Sequence, residues 1–215
     1  MNSIYYIAIE GVIGVGKTSL AKIISKKLSA KLLLEKPEEN PFLDDFYRDT
    51  ERYAFQTQIF FLLSRYRQQM ELKQADLFSK LIVSDYMFQK DKLFASINLN
   101  EKEFSLYNSL YRLLEKNILK PDLVIYLQAS VNRLMQNIKT RGRSYEKYIE
   151  PEYIESLIHV YNEFFFMYYD SPLLIINTEE IDFVNNENDL NDILKVINTP
   201  FEGTKYYKPV KRVLK

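Results

Sequence analysis

The sequence predicts an α/β domain built on a largely parallel sheet, and three observations carry that prediction. Short apolar runs alternate with longer segments whose apolar residues recur every three or four positions. The first apolar run leads directly into Gly11-Val12-Ile13-Gly14-Val15-Gly16-Lys17-Thr18, a complete G-x-x-x-x-G-K-[ST] loop followed by Ser19. The composition, 47% hydrophobic and 14% aromatic over 215 residues, suits one compact domain with a sizeable core.

Residues 5–10 form the first strand and enter the glycine loop, and residues 17–29 have the apolar spacing of a helix. Residues 31–35 are the second strand, which ends at Glu35. A long helix over 52–74 precedes a third strand over 81–85, and a helix over 101–117 precedes a fourth strand over 123–128. Both of these strands are apolar runs ending in polar residues. Helices over 131–140 and 152–169 lead to a fifth strand over 173–177. The Asn-rich stretch 185–191 reads as a loop. Residues 199–215, with Gly203, two prolines and a basic end, read as a tail behind a single domain over 1–198.

Composition also narrows the function. Lys plus Arg and Asp plus Glu each number 29, so no global charge excess draws the chain to nucleic acid or membrane. Cysteine is absent, the N-terminus lacks the marks of a secretion signal, and no run approaches the roughly 18 apolar residues of a spanning helix. A cytoplasmic protein is expected, without a nucleic-acid or membrane partner.

Three of the five glycines fall between positions 11 and 16. They let the backbone curl until successive amides face one centre, where a phosphate is held. Lys17 then reaches the terminal phosphates, and the Thr18 hydroxyl is offered to Mg2+. A GTPase is disfavoured: no Asn-Lys-x-Asp motif occurs, and no glycine between Gly16 and Gly142 could complete an Asp-x-x-Gly switch. A motor-type ATPase usually needs a longer chain, whereas a small-molecule kinase fits this length.

Glu35 should lie at the carboxyl edge of the sheet, where open α/β folds place ligands. Two readings are open for it: a proton acceptor for an attacking hydroxyl, or a member of a solvated acidic loop with Glu38 and Glu39. Asp85 ends "LIVSD", as a Mg2+-ordering carboxylate or as a capping Asp. "IKTRGRSYEKY", residues 138–148, puts Lys139, Arg141 and Arg143 around Gly142, the makings of a lid over a transferring phosphoryl group. The aromatic residues between positions 53 and 66 recur at helical spacing and read mostly as core.

Together the phosphate loop, "EENPFLDDFYRD", "YAFQTQIFFLLSRYR", the strand ending at Asp85, "DLVIYL" and "KTRGRSYE" resemble the deoxyribonucleoside kinase family. The likeness is to its bacterial deoxyadenosine and deoxyguanosine kinases and, more distantly, to deoxycytidine kinase. The resemblance implies a P-loop nucleoside kinase fold, a five-stranded parallel sheet with helices on both sides, and a homodimer built through helix packing. It implies transfer of the γ-phosphoryl group of ATP, with Mg2+, to the 5′-hydroxyl of a deoxyribonucleoside. By the same resemblance Glu35 is similar to the family's general base, Tyr47 and Glu146 to its binders of the sugar 3′-hydroxyl, and Gln58, Arg65 and Asp91 to its base readers. Gln58 and Arg65 stand seven apart, two turns of one helix, so both can face one pocket. This set favours deoxyadenosine, then deoxyguanosine or deoxycytidine.

One departure is plain: where the family usually has Asp-Arg-Ser or Glu-Arg-Ser, this chain has Asp85-Tyr86-Met87. If a helix begins just after Asp85, Lys90 lies one turn beyond Tyr86 and can bring an ammonium back toward the site, while Lys92 points elsewhere. A solvated "QKDK" face is the other reading. The alternatives at the level of function are a nucleoside monophosphate kinase of thymidylate kinase type and a non-catalytic nucleotide-binding regulator.

Overall fold

The computed structural model describes residues 6–75, 81–179 and 181–207. Residue 5 of the predicted first strand and residues 208–215 of the predicted tail lie outside the described residues. In chain order the elements are β1 (Tyr6–Gly11), α1 (Lys17–Lys27), β2 (Lys31–Leu33), α2 (Leu43–Arg48), α3 (Thr50–Ala75), β3 (Ile82–Ser84), α4 (Lys90–Asn98) and α5 (Glu101–Leu114). They continue with β4 (Leu123–Gln128), α6 (Val131–Arg141), α7 (Pro151–Phe166), β5 (Leu173–Asn177), α8 (Glu187–Ile197) and β6 (Thr204–Tyr207).

The strands form one sheet in the order β2-β3-β1-β4-β5-β6, with every pairing parallel. Ile7 of β1 pairs with Val83 on one side and Leu123 on the other. Successive side chains of a strand point to opposite faces, yet every residue of β1 is buried, so both faces are covered. The chain runs from β1 to the β2-β3 side and then crosses to β4, which makes the carboxyl end of β1 the switch point where open α/β sheets bind ligands.

Three expectations are corrected. The sheet has six strands rather than five, because the predicted tail contains β6, whose residues pair with β5 from Leu173↔Thr204 to Ile176↔Tyr207. The Asn-rich stretch is not all loop: α8 begins at Glu187, and the Asn186 side chain caps it by accepting from the Asn188 amide at 3.0 Å. Helix α4 begins at Lys90 after a turn, rather than directly after Asp85.

The apolar residues form two clusters. The larger binds the sheet to α1, α6, α7 and α8 through residues such as Ile9, Leu20, Ile125, Leu157 and Ile193. The smaller joins α2, α3, α4 and α5 through Leu43, Phe46, Leu62, Phe88 and Tyr107. Helix α5 starts with a reciprocal capping box, in which Asn100 accepts from the Glu103 amide at 3.0 Å and the Glu103 carboxylate accepts from the Asn100 amide at 3.2 Å. The site lies between the two clusters.

Candidate active site

The phosphate loop has the backbone its sequence demands. Gly11, Gly14 and Gly16 adopt φ of 147°, 88° and 100°. A Cβ on Gly11 would lie 2.5 Å from the Leu127 carbonyl oxygen, and one on Gly14 would lie 2.8 Å from that of Leu134. The loop thus packs directly on β4 and α6, and Asn137 of α6 donates to the Gly14 carbonyl at 2.9 Å. Gly16 caps α1, whose free amides and dipole face the loop. Lys17 folds back, donating to the carbonyls of Gly11 at 2.6 Å and Val12 at 3.1 Å. Burial, with the Lys90 ammonium adding to it, lowers Lys17 to about 8. Ser19 is exposed beside Thr18.

The carboxyl ends of β2, β3 and β1 deliver three carboxylates. Glu35 lies just past β2, Asp85 directly past β3, and Glu10 within the end of β1. Asp85 is the hub: its Oδ2 accepts from the Thr18 hydroxyl at 2.5 Å and its Oδ1 from the Glu35 amide at 2.8 Å. Burial, followed by repulsion from Glu35, pushes its carboxyl up. Thr18 and Asp85 present the hard oxygen donors that suit Mg2+. Among the described residues no group of three or more His, Cys, Asp or Glu gathers to hold a metal, so the remaining ligands would come from water and nucleotide phosphates.

Glu35 is bracketed by cations. Lys90 donates to its Oε2 at 2.6 Å, and Arg65 donates from one terminal nitrogen to its Oε1 and from the other to Asp91 Oδ1. Burial alone would raise the Glu35 carboxyl, but the Arg65 guanidinium and then the Lys90 ammonium outweigh it and hold Glu35 well below the usual carboxylate range. Lys90 is 5% exposed whereas Lys92 is exposed, so of the two lysines Lys90 is the one that reaches the site. Tyr86 does not face Glu35: its hydroxyl donates to Gln68 at 2.6 Å.

Glu35 borders a pocket of about 240 Å³ that also reaches Lys17, Thr18, Tyr47, Gln58, Arg65 and the lid. Gln58 and Arg65, two turns apart on α3, are both buried and both line it. The Tyr47 ring lies parallel to that of Tyr145, 6.3 Å between centroids, and burial pushes its hydroxyl well up, so it stays neutral. The segment predicted as a lid is the end of α6, Gly142 at φ 66° and a 3₁₀ turn over Ser144–Tyr148. Buried Glu146 accepts from Arg141 at 2.5 and 3.0 Å, and Arg143 stands 3.7 Å away. Lys139 is exposed and lies outside the pocket lining. A larger hollow of about 980 Å³ opens where β1, β3 and β4 begin, and it holds none of these residues.

Two contributors escape a reading by motif. Glu10 is fully buried and accepts from the amides of Gly11 at 3.1 Å and Met87 at 2.7 Å and from the Tyr161 hydroxyl at 3.2 Å. Its signal is an acid inside an otherwise apolar strand. Asn137 carries no such signal, because on its helix it reads as an ordinary polar residue.

Comparison with known proteins agrees with this geometry. The family model "Deoxynucleoside kinase" matches residues 7–201. A deoxyguanosine kinase of Bacillus subtilis is 36% identical over 200 residues, covering 90% of this chain and 96% of the relative. A deoxyadenosine kinase of Lactobacillus acidophilus is 33% identical, covering 91% of this chain and 95% of its own. The solved structure of a deoxyadenosine kinase from M. mycoides with bound dATP superposes with a TM-score of 0.79 at 33% identity, covering 90% of this chain and all of that one, 100%. Matched from β1 to beyond α8, the chain belongs to the deoxynucleoside kinase family.

Proposed function

We propose that this kinase transfers the γ-phosphoryl group of ATP to the 5′-hydroxyl of a deoxyribonucleoside, with deoxyadenosine favoured and deoxyguanosine and deoxycytidine next. The observation that carries the reading is Glu35, a half-buried carboxylate in one pocket with Lys17 of the phosphate loop on one side and Gln58 and Arg65 on the other. The loop amides from Gly11 to Gly16 and Lys17 hold the phosphates. The 5′-oxygen attacks the γ-phosphorus as its proton passes to Glu35, the bond to the β-phosphate oxygen breaks, and ADP leaves. Arg141 and Arg143 neutralise the charge that develops, with Lys139 available only if the lid moves. Tyr47 and Glu146 take the sugar, and Gln58, Arg65 and Asp91 read the base, where an unpaired donor or acceptor costs enough to discriminate. Thr18 and Asp85 would hold Mg2+, which neutralises phosphate charge when bound.

The kinase also works as a homodimer in this reading. Leu106, Leu110 and Leu113 form an exposed stripe along α5, and Leu63 of α3 is exposed as well, apolar surface that helix packing between two copies would cover. The test of the activity is incubation with ATP and Mg2+ and, in separate reactions, each deoxynucleoside, each ribonucleoside and each deoxynucleoside monophosphate. The reading predicts 5′-monophosphate from deoxyadenosine and poor turnover of ribonucleosides. Turnover of monophosphates but not of nucleosides would overturn it.

A further inference from the structure

Both oxygens of Glu35 are occupied by cations, Oε2 by Lys90 and Oε1 by Arg65. Each cation takes a lone pair of the base and fills part of the approach to it. Each oxygen keeps a second lone pair, but the 5′-hydroxyl must come within about 2.6–3.2 Å of one of them to pass its proton, an approach that withdrawal of one cation clears. The two are not equivalent. Among the described residues the Lys90 ammonium hydrogen-bonds only to Glu35, and its side chain is 6% exposed, so leaving would cost a buried charge its one hydrogen-bonded carboxylate, with the Phe94 ring 5.4 Å away and Glu10 left to offset it. Arg65 has somewhere to go: it keeps Asp91 Oδ1 as a charge partner and rests 4.7 Å from the centre of the Phe61 ring. Moreover, Arg65 Nε and Asp91 Oδ2 are buried with no hydrogen-bond partner, a donor and an acceptor of one ion pair left unmatched.

We propose that Arg65 is a base-operated latch on Glu35: the edge of a purine that engages Arg65 and Asp91 draws the guanidinium off Oε1 and opens that oxygen to the 5′-hydroxyl, while Lys90 stays on Oε2. The inference rests on the reading of Glu35 as proton acceptor and of Arg65 and Asp91 as base readers. Recognition of the base is then spent on turnover rather than on affinity alone. The shut latch also has a use. With Arg65 on Oε1, Glu35 is less open to a water that could attack bound ATP, so an enzyme without a nucleoside wastes less of its donor.

The test splits the acceptor into pieces. 1,2-Dideoxyribose carries the 5-hydroxyl and 3-hydroxyl but no base, and free adenine supplies the base separately. With the wild-type enzyme, saturating adenine should raise turnover of the baseless sugar by about tenfold or more. In Arg65→Met the baseless sugar and water should both be phosphorylated about tenfold faster than in wild type without adenine, and adenine should no longer stimulate. Because Arg65→Met leaves Asp91 buried and unpaired, a second measurement uses the unaltered enzyme: a crystal structure with deoxyadenosine. There Arg65 should stand more than about 4 Å from both Glu35 oxygens, beyond ion-pair range, with Lys90 still on Oε2. Turnover of deoxyadenosine with no effect of adenine, or Arg65 still on Glu35 in the complex, overturns the latch and leaves the kinase reading standing. Failure to turn over deoxyadenosine at all overturns both.

Discussion

Glu10 shows how single residues set this site. Burial pushes its carboxyl up, partly offset by Lys90 and then Lys17. The folded protein therefore holds that proton more tightly than the unfolded chain. Its carboxyl favours folding at low pH and opposes it as pH rises from the ordinary value of 4.5 toward the raised one. Glu10→Gln cannot ionise, so in urea unfolding the wild type should lose stability relative to the variant across that rise. The variant should be weaker by about 1–3 kcal/mol where the carboxyl is neutral, because an amide offers one acceptor oxygen where two backbone amides need two. A pH-independent difference would show that Glu10 titrates normally. Residues of this kind differ in how far the sequence betrays them. Lys17 and Thr18 are legible because a fixed motif fixes their chemistry. Arg65 and Gln58 are legible in principle, since the stripe Ala54, Gln58, Leu62, Arg65, Gln69, Leu72 runs down the buried face of α3 and polar side chains interrupt it. Lys90 reaches Glu35 although the turn over residues 86–89 departs from the helix first expected there. Its ammonium arrives from the first residue of α4, not from a full turn inside it.

At the level of elements, the strands with both faces buried and the helices that cover them were readable from apolar runs and spacing. Helix α8 and strand β6 were not. In α8 the Asn-rich entry masked a helical pattern of Leu190, Ile193, Leu194 and Ile197, although an Asn cap is itself a helix start signal. Strand β6 is four residues long and alternates exposed with half-buried, so it has no apolar run to announce it. Its place comes from the backbone of β5, which offers an edge to pair. Glu35 also lies further out than the predicted strand, because β2 ends at Leu33 and an Asp85-bound turn carries the chain on. The α5 stripe makes a prediction at this scale. Leu110→Glu puts a charge in the middle of the proposed dimer face while the capping box and the buried Tyr107 and Tyr111 stay untouched. Sedimentation at micromolar concentration should show a dimer for the wild type and a monomer for the variant. A monomeric wild type would remove the dimer from the account.

For the whole molecule, the arrangement that matters is a pocket between two cores. The sheet core fixes the phosphate loop, Asp85 and Glu10, and the helical cluster of α2 to α5 fixes Tyr47, Gln58 and Arg65. Glu35 is where they meet: its amide is tied to Asp85 and its carboxylate to α3 and α4. Neither core alone builds the site, which is why no single stretch of sequence reveals it and why the resemblance needed several motifs together. The most direct test of the central claim is turnover and nucleoside affinity of Glu35→Gln measured side by side. Gln keeps the shape and one acceptor but cannot take a proton. The account predicts a kcat lower by about 10²- to 10⁴-fold with deoxyadenosine still bound, the loss of a positioned proton acceptor. A near-normal kcat in Glu35→Gln would contradict it, since the 5′-hydroxyl would then lose its proton elsewhere.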